Sequence, residues 1–495
     1  MSASPITIME SSHLGYLKPY EIFVDSSHGD IYSNAWRGQK ARTPQDDFEG
    51  PLRDGSPVDL FSAAHAGLLV SAGVLGMVTT LLTVLAAPGP GHAGLVNLGF
   101  YARVLFALTS DSVPFLGYKR KSYMLLGWAS MAVAFFVLSI VARDGDAYAA
   151  AVVLASLSAA LVQTASDGLM VEYAQREPIE ARGRTQITLL ALNWFGASLS
   201  SLLLACLTDD ASGDVTWALD KASVLRIVAV ICILPVPALL FFITESRLAP
   251  SLEFRRRRYM FGRLLQNKAI WQVALFQAGA GCCLALSSVA NGYSPLLWFR
   301  TIYPWIVRLV FFVLFAYALA YVQRRGLSWH WQRSFLSAAS ANMLLHVLQH
   351  ASVVDDATNW GAVTLVWVSS VPTAIQYVLR HLPMVEVAPY GFEATTLSLL
   401  STSAEIVHPL MMALHQHYAG PDGRWSTLTF YIALGLNVVG CLSVWFLPKQ
   451  RSDCILLRHF GGLSKLAAWL LFTALVLHQV AAAVLQWPGS SLSRL

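Results

Sequence analysis

Nine charged side chains stand inside or at the margins of apolar runs: Arg103, Asp111, Asp167, Glu172, Arg308, Arg380, Glu386, Glu393 and Glu405. A charge at the centre of a bilayer costs about 2.5 to 3.5 kcal/mol on insertion scales, so each must face a partner, a polar cavity or an interface. An arginine held there attracts anionic solutes, and a carboxylate held there can take up and release a proton. On these grounds Arg103, Asp167, Arg308, Glu386 and Glu393 are the candidates for binding substrate or proton. Each also has a plain structural reading, such as an Arg103–Asp167 bridge that does no more than hold helices together. His346 and His350 are spaced to share one helical face and could relay protons, and His408 is a further titratable candidate. No third ligand is spaced with them, so no metal or cofactor is expected. The chain contains no GxSxG, P-loop or HExxH motif, which argues against an enzyme or an ATP-driven pump.

These charges matter because of the elements around them. Of 495 residues, 55% are hydrophobic and only 13% charged, against roughly 25% in a soluble domain, and the mean hydropathy is +0.53. Such a chain is an all-α polytopic membrane protein in contact with the lipid bilayer. A net charge of +5 is spread between apolar spans, so loop orientation explains it without nucleic acid. Six cysteines without CxxC spacing read as packing residues. The first sixty residues are polar and mixed in charge, without a cleavable signal.

Stretches long enough to cross the hydrocarbon fall near 62–86, 93–113, 122–142, 147–174, 186–208, 223–244, 270–297, 302–322, 334–354, 360–388, 392–417 and 427–447. A candidate thirteenth covers 466–485. With the N-terminus cytoplasmic, the inner loops hold sixteen Lys and Arg and the outer loops four, as the positive-inside rule requires. The division expected is a tail over 1–60, a six-helix half over 61–244, a basic linker over 245–269, a second half over 270–447 and a C-terminal segment over 448–495. Two halves suggest a duplicated transporter design. VEYA with Glu172 is echoed by VEVA with Glu386, 214 residues on, and the same offset carries Lys119 to Arg333. Arg103 is answered by Arg308 at a different offset, 205.

Four stretches carry a resemblance: SDSVPFLGYKRKSYMLLGW at 110–128, SDGLMVEYAQREPIEARGRTQ at 166–186, LPMVEVAPYGFEAT at 382–395 and LPKQRSDCILLRHFGGLSK at 447–465. Together they resemble the folate-biopterin transporter family of the major facilitator superfamily, most closely its oomycete and protist members. The resemblance implies a twelve-helix core of 6+6 design and alternating access. It also implies a monomer that imports folate- or pterin-like anionic heterocycles with protons, as a symporter in the plasma membrane or an organelle membrane. It further implies a cytoplasmic gate at Asp111, Gly117, Lys119, Arg120 and Lys121, joined by Glu172, Arg176, Arg182 and Arg184. Family acidic positions fall on Asp167, Glu172, Glu386 and Glu393, and Arg103 stands where many relatives have Lys. The second span and ANGYSPLLWF in the seventh depart from the family pattern. Another small metabolite such as S-adenosylmethionine, or a receptor role on the same fold, stays open as an alternative.

Overall fold

The computed structural model describes residues 50–85, 90–142, 145–207, 219–245, 254–292, 304–352, 360–407 and 427–486. His408, Arg143, Arg247, Arg300, Arg424 and most of the 1–60 tail lie outside them. The described residues form the helices α1 (Ala66–Leu85), α2 (Pro90–Tyr101), α3 (Arg103–Ser112), α4 (Lys121–Ile140), α5 (Asp146–Ala174), α6 (Arg184–Leu207), α7 (Lys221–Ile231) and α8 (Pro235–Phe241). There follow α9 (Phe254–Gln266), α10 (Lys268–Gly292), α11 (Pro304–Arg325), α12 (Trp331–Ser352), α13 (Trp360–Val387), α14 (Glu393–Ala404), α15 (Thr427–Leu442), α16 (Arg451–Phe460) and α17 (Lys465–Gln486).

Six of the spans are long and apolar enough to cross a membrane among the described residues, with α15 and α16 a further bent pair. Twelve were expected from sequence; of the remaining expected spans, 270–297 and 392–417 run partly outside the described residues, and others differ for local reasons. The second span breaks at Ala102 into α2 and α3, and α14 ends at Ala404. The helices α12 and α13 carry buried polar groups such as Asn342, His346, Gln376, Arg380 and Glu386. The last apolar stretch is helical as α17.

Helix pairing repeats along the chain. In the first part α1 packs on α6, α4 on α5, and α2 on α5; in the second α10 packs on α14, α12 on α13, and α11 on α13. Across the two sets, α6 lies against α11 and α3 against α14. Small residues set the close crossings. A Cβ on Gly76 would sit 1.8 Å from the Asn193 carbonyl oxygen, and one on Gly196 would sit 1.9 Å from that of Gly73. The same device recurs at Gly281, where a Cβ would come within 2.0 Å of the Ala404 carbonyl. In hydrocarbon, where lipid tails are as apolar as leucine, such backbone contact is a main source of helix association.

The loops after α3, α5, α8, α11 and α13 share one end of the bundle, here called the basic face. It is there that the sequence places Lys119, Arg120, Arg176, Arg182, Arg324 and Arg325.

Candidate functional site

At the basic face, the chain between α3 and α4 reverses at Leu116 and Gly117. Their φ angles are +53° and +80°, and Phe115 and Tyr118 exchange two backbone hydrogen bonds of 3.0 Å. Two successive positive φ values suit a type I′ reversal, where glycine is unstrained. The turn delivers Lys119 and Arg120 back under α3. Glu245 then holds the start of α4, accepting from the amides of Lys119, Arg120 and Lys121 at 2.9, 3.1 and 2.9 Å. A carboxylate at that position complements the positive end of the helix.

Arg120 is fully buried. Its guanidinium donates to Asp111, to Ser110 Oγ at 2.8 Å, to Glu172 at 3.4 Å and to Glu393 at 3.3 Å. Lys119 Nζ adds a 3.3 Å bridge to Glu393. Asp111 uses its second oxygen for the Thr395 amide and hydroxyl at 2.7 and 2.6 Å. Asp111 therefore ties α3 to the start of α14, while Glu393, the first residue of α14, is held from the other side by Arg120 and Lys119. Burial alone would lower the pKa of Arg120, but Asp111, Glu172 and Glu393 outweigh it and raise it.

A residue that spacing did not single out completes this network. Arg53, in the polar stretch ahead of α1, reaches Glu393 at 3.0 Å and Glu172 at 3.1 Å, and lies 4.6 Å over the Tyr390 ring. Its amide donates to the Gln175 carbonyl at 3.1 Å, and the neighbouring Leu52 is buried. Its guanidinium is likewise held protonated: burial acts against the charge, and Glu172 and Glu393 reverse the effect. Nothing in its local sequence marks it, because one arginine in a mixed polar segment has no periodicity.

A second network lies beside the first. Arg182 donates to Glu386 at 2.7 Å, Arg451 of α16 lies 3.6 Å from Glu386 and also donates to the Arg182 carbonyl at 2.6 Å. Gln175 bonds the Val385 and Ala388 carbonyls at 3.1 and 2.8 Å. Glu177 closes the α5–α6 turn by accepting from the Gly183 and Thr185 amides at 2.8 and 2.9 Å. Burial raises the Glu177 carboxyl above its ordinary value, and these bonds only partly offset it.

Several expected placements change. Glu386 and Glu393 stand on either side of the turn between α13 and α14, so both belong to the basic face and not with Asp167. Arg182 takes Glu386 as partner. Lys121 turns away from the network and donates to the Leu240 and Ile243 carbonyls at 2.9 and 3.0 Å, at the end of α8. Arg176 lies over Tyr173 at 5.7 Å, and Arg184 is exposed.

Deeper in the bundle a separate group gathers. Asp167 is seven residues short of the end of α5, which is ~10 Å from the basic face at 1.5 Å per residue. It accepts from Gln163 Nε2 at 2.8 Å and stands within electrostatic reach of Arg103 and Tyr377. Arg103 donates to the Phe100 carbonyl at 3.1 Å and lies 5.7 Å over that ring. Near these, α6, α11 and α13 bring aromatic rings together. Trp194 sits 4.3 Å from Phe315, 5.5 Å from Phe312 and 5.7 Å from Tyr377, and Tyr377 sits 4.3 Å from His381. Trp194, Phe315 and Tyr377 are each ten residues from the basic-face end of their helices, hence ~15 Å deep. Arg380 bonds Gln277 at 3.2 Å one turn away. Arg308 does not share this level. It is seventeen residues from the end of α11, ~25 Å from the basic face, where it lies over Trp305 at 5.6 Å. The unequal offset of the Arg103–Arg308 pair is the sequence signature of that mismatch.

His346 is buried beside Gln349 at 3.3 Å, and His350 stacks on Phe430 at 4.0 Å, both away from this group. Glu405 follows the last residue of α14.

Residues 67–292 match the BT1 family. Over 181 residues the chain is 28% identical to a folate-biopterin transporter of Synechocystis, covering 36% of this chain and 34% of the relative. The chain thus matches about a third of the length of that curated relative. Among solved structures it is similar to FucP, a major facilitator superfamily transporter in an outward conformation. That similarity has a TM-score of 0.47 and 14% identity, over 77% of this chain and 97% of that one.

Proposed function

We propose, from the match of residues 67–292 to the BT1 family, that this chain is a secondary active transporter working by alternating access, and not an enzyme. The observation that carries this reading is the asymmetry of the bundle. Its two sets of helices are tied at the basic face by Asp111, Arg120, Arg53 and Glu393, while an ionisable and aromatic group lies ~10 to 15 Å further in. A site between two halves with one end shut is what such a cycle requires. The halves comprise α1–α8 and α10–α15 with the 443–446 turn, joined by the basic linker. The positive-inside rule supports a cytoplasmic basic face, in a plasma membrane or, alternatively, an organelle membrane.

The solute is a folate- or pterin-like anionic heterocycle. The name of the Synechocystis relative and the pairing of flat aromatic rings with Arg103 and Asp167 support this. Asp167 is the proton-carrying group, because it alone of the deep carboxylates has a neutral amide, Gln163, as its hydrogen-bond partner among the described residues. Uptake of labelled folate and biopterin into vesicles holding the purified protein, with and without a proton gradient, tests both points. Accumulation that depends on the gradient is expected. Folded protein that moves neither solute above background refutes the substrate assignment.

A further inference from the structure

Gln163 and Asp167 are four residues apart on α5 and therefore share a face. Gln163 Nε2 donates to Asp167 Oδ1, and the remaining oxygens, Asp167 Oδ2 and Gln163 Oε1, take no other hydrogen bond among the described residues. Both side chains keep part of their surface open although they lie deep in the bundle. They present two neighbouring acceptors and no spare positive charge. What satisfies such a pair is a rigid edge carrying two adjacent N–H donors, in the way a planar guanidinium satisfies a carboxylate.

The group next to this pair is aromatic. Trp194 and Tyr377 stand nearly perpendicular, at 88°, and both are half-buried, so part of each side chain stays open to a flat partner. Tyr377 is the link between the two groups, being within electrostatic reach of Asp167 and of Arg103. Arg103 keeps its terminal amines without another hydrogen bond among the described residues, and so supplies the positive charge that an anionic substituent needs.

We infer that Gln163 and Asp167 form the recognition edge of the solute site: they bind the adjacent N–H donors of a 2-amino-4-oxo-type heterocycle, whose ring lies against Trp194 and Tyr377 and whose anionic substituent points to Arg103. This rests on the transport reading above and adds to it the orientation of the solute. The proposed edge discriminates. Replacing the 2-amino group by a 2-oxo group turns a donor into an acceptor facing a carboxylate, and an unmade hydrogen bond to a charged group there lowers affinity by about 10- to 100-fold.

The test uses the full chain in lipid nanodiscs and two simple probes, 2-amino-4-oxopteridine and 2,4-dioxopteridine, with binding read by quenching of tryptophan fluorescence. The amino compound is expected to bind about 10- to 100-fold more tightly. In Asp167→Asn that preference falls toward unity, and in Trp194→Leu both affinities drop together with the preference intact. Equal affinity of the two probes for the parent protein overturns the recognition edge while leaving transport standing, and this comparison needs no variant to fold. Preference retained in folded Asp167→Asn also overturns it. If the folded parent binds neither pteridine, the substrate class proposed above fails first, and the edge with it.

Discussion

Replacing Arg53 by alanine removes one cation from a network that joins the segment before α1, the α3–α4 turn, α5 and α14. Arg53 makes two bridges, 3.0 Å to Glu393 and 3.1 Å to Glu172, with its own side chain 13% exposed and that of Glu393 fully buried. Leaving a buried partner unpaired costs about 3 to 5 kcal/mol. Here Glu393 keeps Lys119 and Arg120, each at 3.3 Å, together with the Gly391 amide at 2.8 Å. Glu172 keeps Arg120 at 3.4 Å. The residual penalty on the closed basic face is therefore smaller, about 1.5 to 3 kcal/mol, or roughly 10- to 150-fold in the balance between closed and open forms. Ser398 on α14 gives the readout, since it is 2% exposed with an Oγ that takes no hydrogen bond among the described residues, and serine to cysteine changes little volume. In a background without the native cysteines, Ser398→Cys is labelled by a maleimide only as fast as the face opens. The labelling rate is expected to rise at least tenfold in Arg53→Ala. Arg53→Lys, which keeps the charge but not the fork, falls between. An unchanged labelling rate in a protein that still melts cooperatively refutes the latch.

Three further outcomes follow from the same geometry. A Cβ on Gly168 would lie 2.6 Å from Arg120 Cζ and 2.9 Å from Ala394 Cβ, so Gly168→Ala presses α5 off α14 and also raises Ser398→Cys labelling. Arg182→Ala lowers the melting temperature more than Arg451→Ala, because Arg182 sits 2.7 Å from Glu386 with a fully buried side chain and Arg451 sits 3.6 Å away at 12% exposure. The third concerns pH. Burial raises the Glu177 carboxyl above its ordinary value, so the folded chain holds that proton more firmly than the unfolded chain, and stability from this group falls as pH rises past about 4.3 and through the raised value. Glu177→Gln lacks that loss, and its melting temperature should gain on the parent's across that window. A constant difference between the two curves would remove Glu177 from the account.

The helical membrane class and the charged inventory were legible in the sequence because they rest on composition and on the cost of burying charge. The depth of each charge was less legible. Glu386 and Glu393 look embedded when VEVAPYGFEAT is read as parts of two apolar runs, yet the Pro389–Gly391 turn brings both to the basic face. Gly391, with φ at +86°, is the residue that permits the reversal. Arg308 looked like the counterpart of Arg103 because both are arginines in even-numbered spans, and only the helix ends show that they differ by ~12 Å in depth. The aromatic wall was present as separate residues with no common period, since Trp194, Phe315 and Tyr377 come from three helices. No pattern along one helix could have assembled it.

Arg53 was invisible for a deeper reason, which the charge balance of the network explains. Among the described residues the cluster holds, within bridging distance, three carboxylates, Asp111, Glu172 and Glu393, and three cations, Arg53, Lys119 and Arg120. Taken by themselves, the helices α3 to α5 and their turn are balanced, with Asp111 and Glu172 against Lys119 and Arg120. Glu393 is then the surplus charge on α14, and Arg53 is its counterion, supplied from outside both. Separating α14 from α3 and α5 must therefore either expose Glu393 to water or carry Arg53 with it. The residues ahead of α1 are tied to α5 through Gln175 and to Arg182 through the Gly50 carbonyl at 2.8 Å, so they stay with the first half. Opening then strips Glu393 of Arg53 together with Lys119 and Arg120 at the moment water reaches it, the step at which solvation can replace the lost bridges. A segment that reads as a solvated tail is in this way the element that sets how firmly the basic face stays shut.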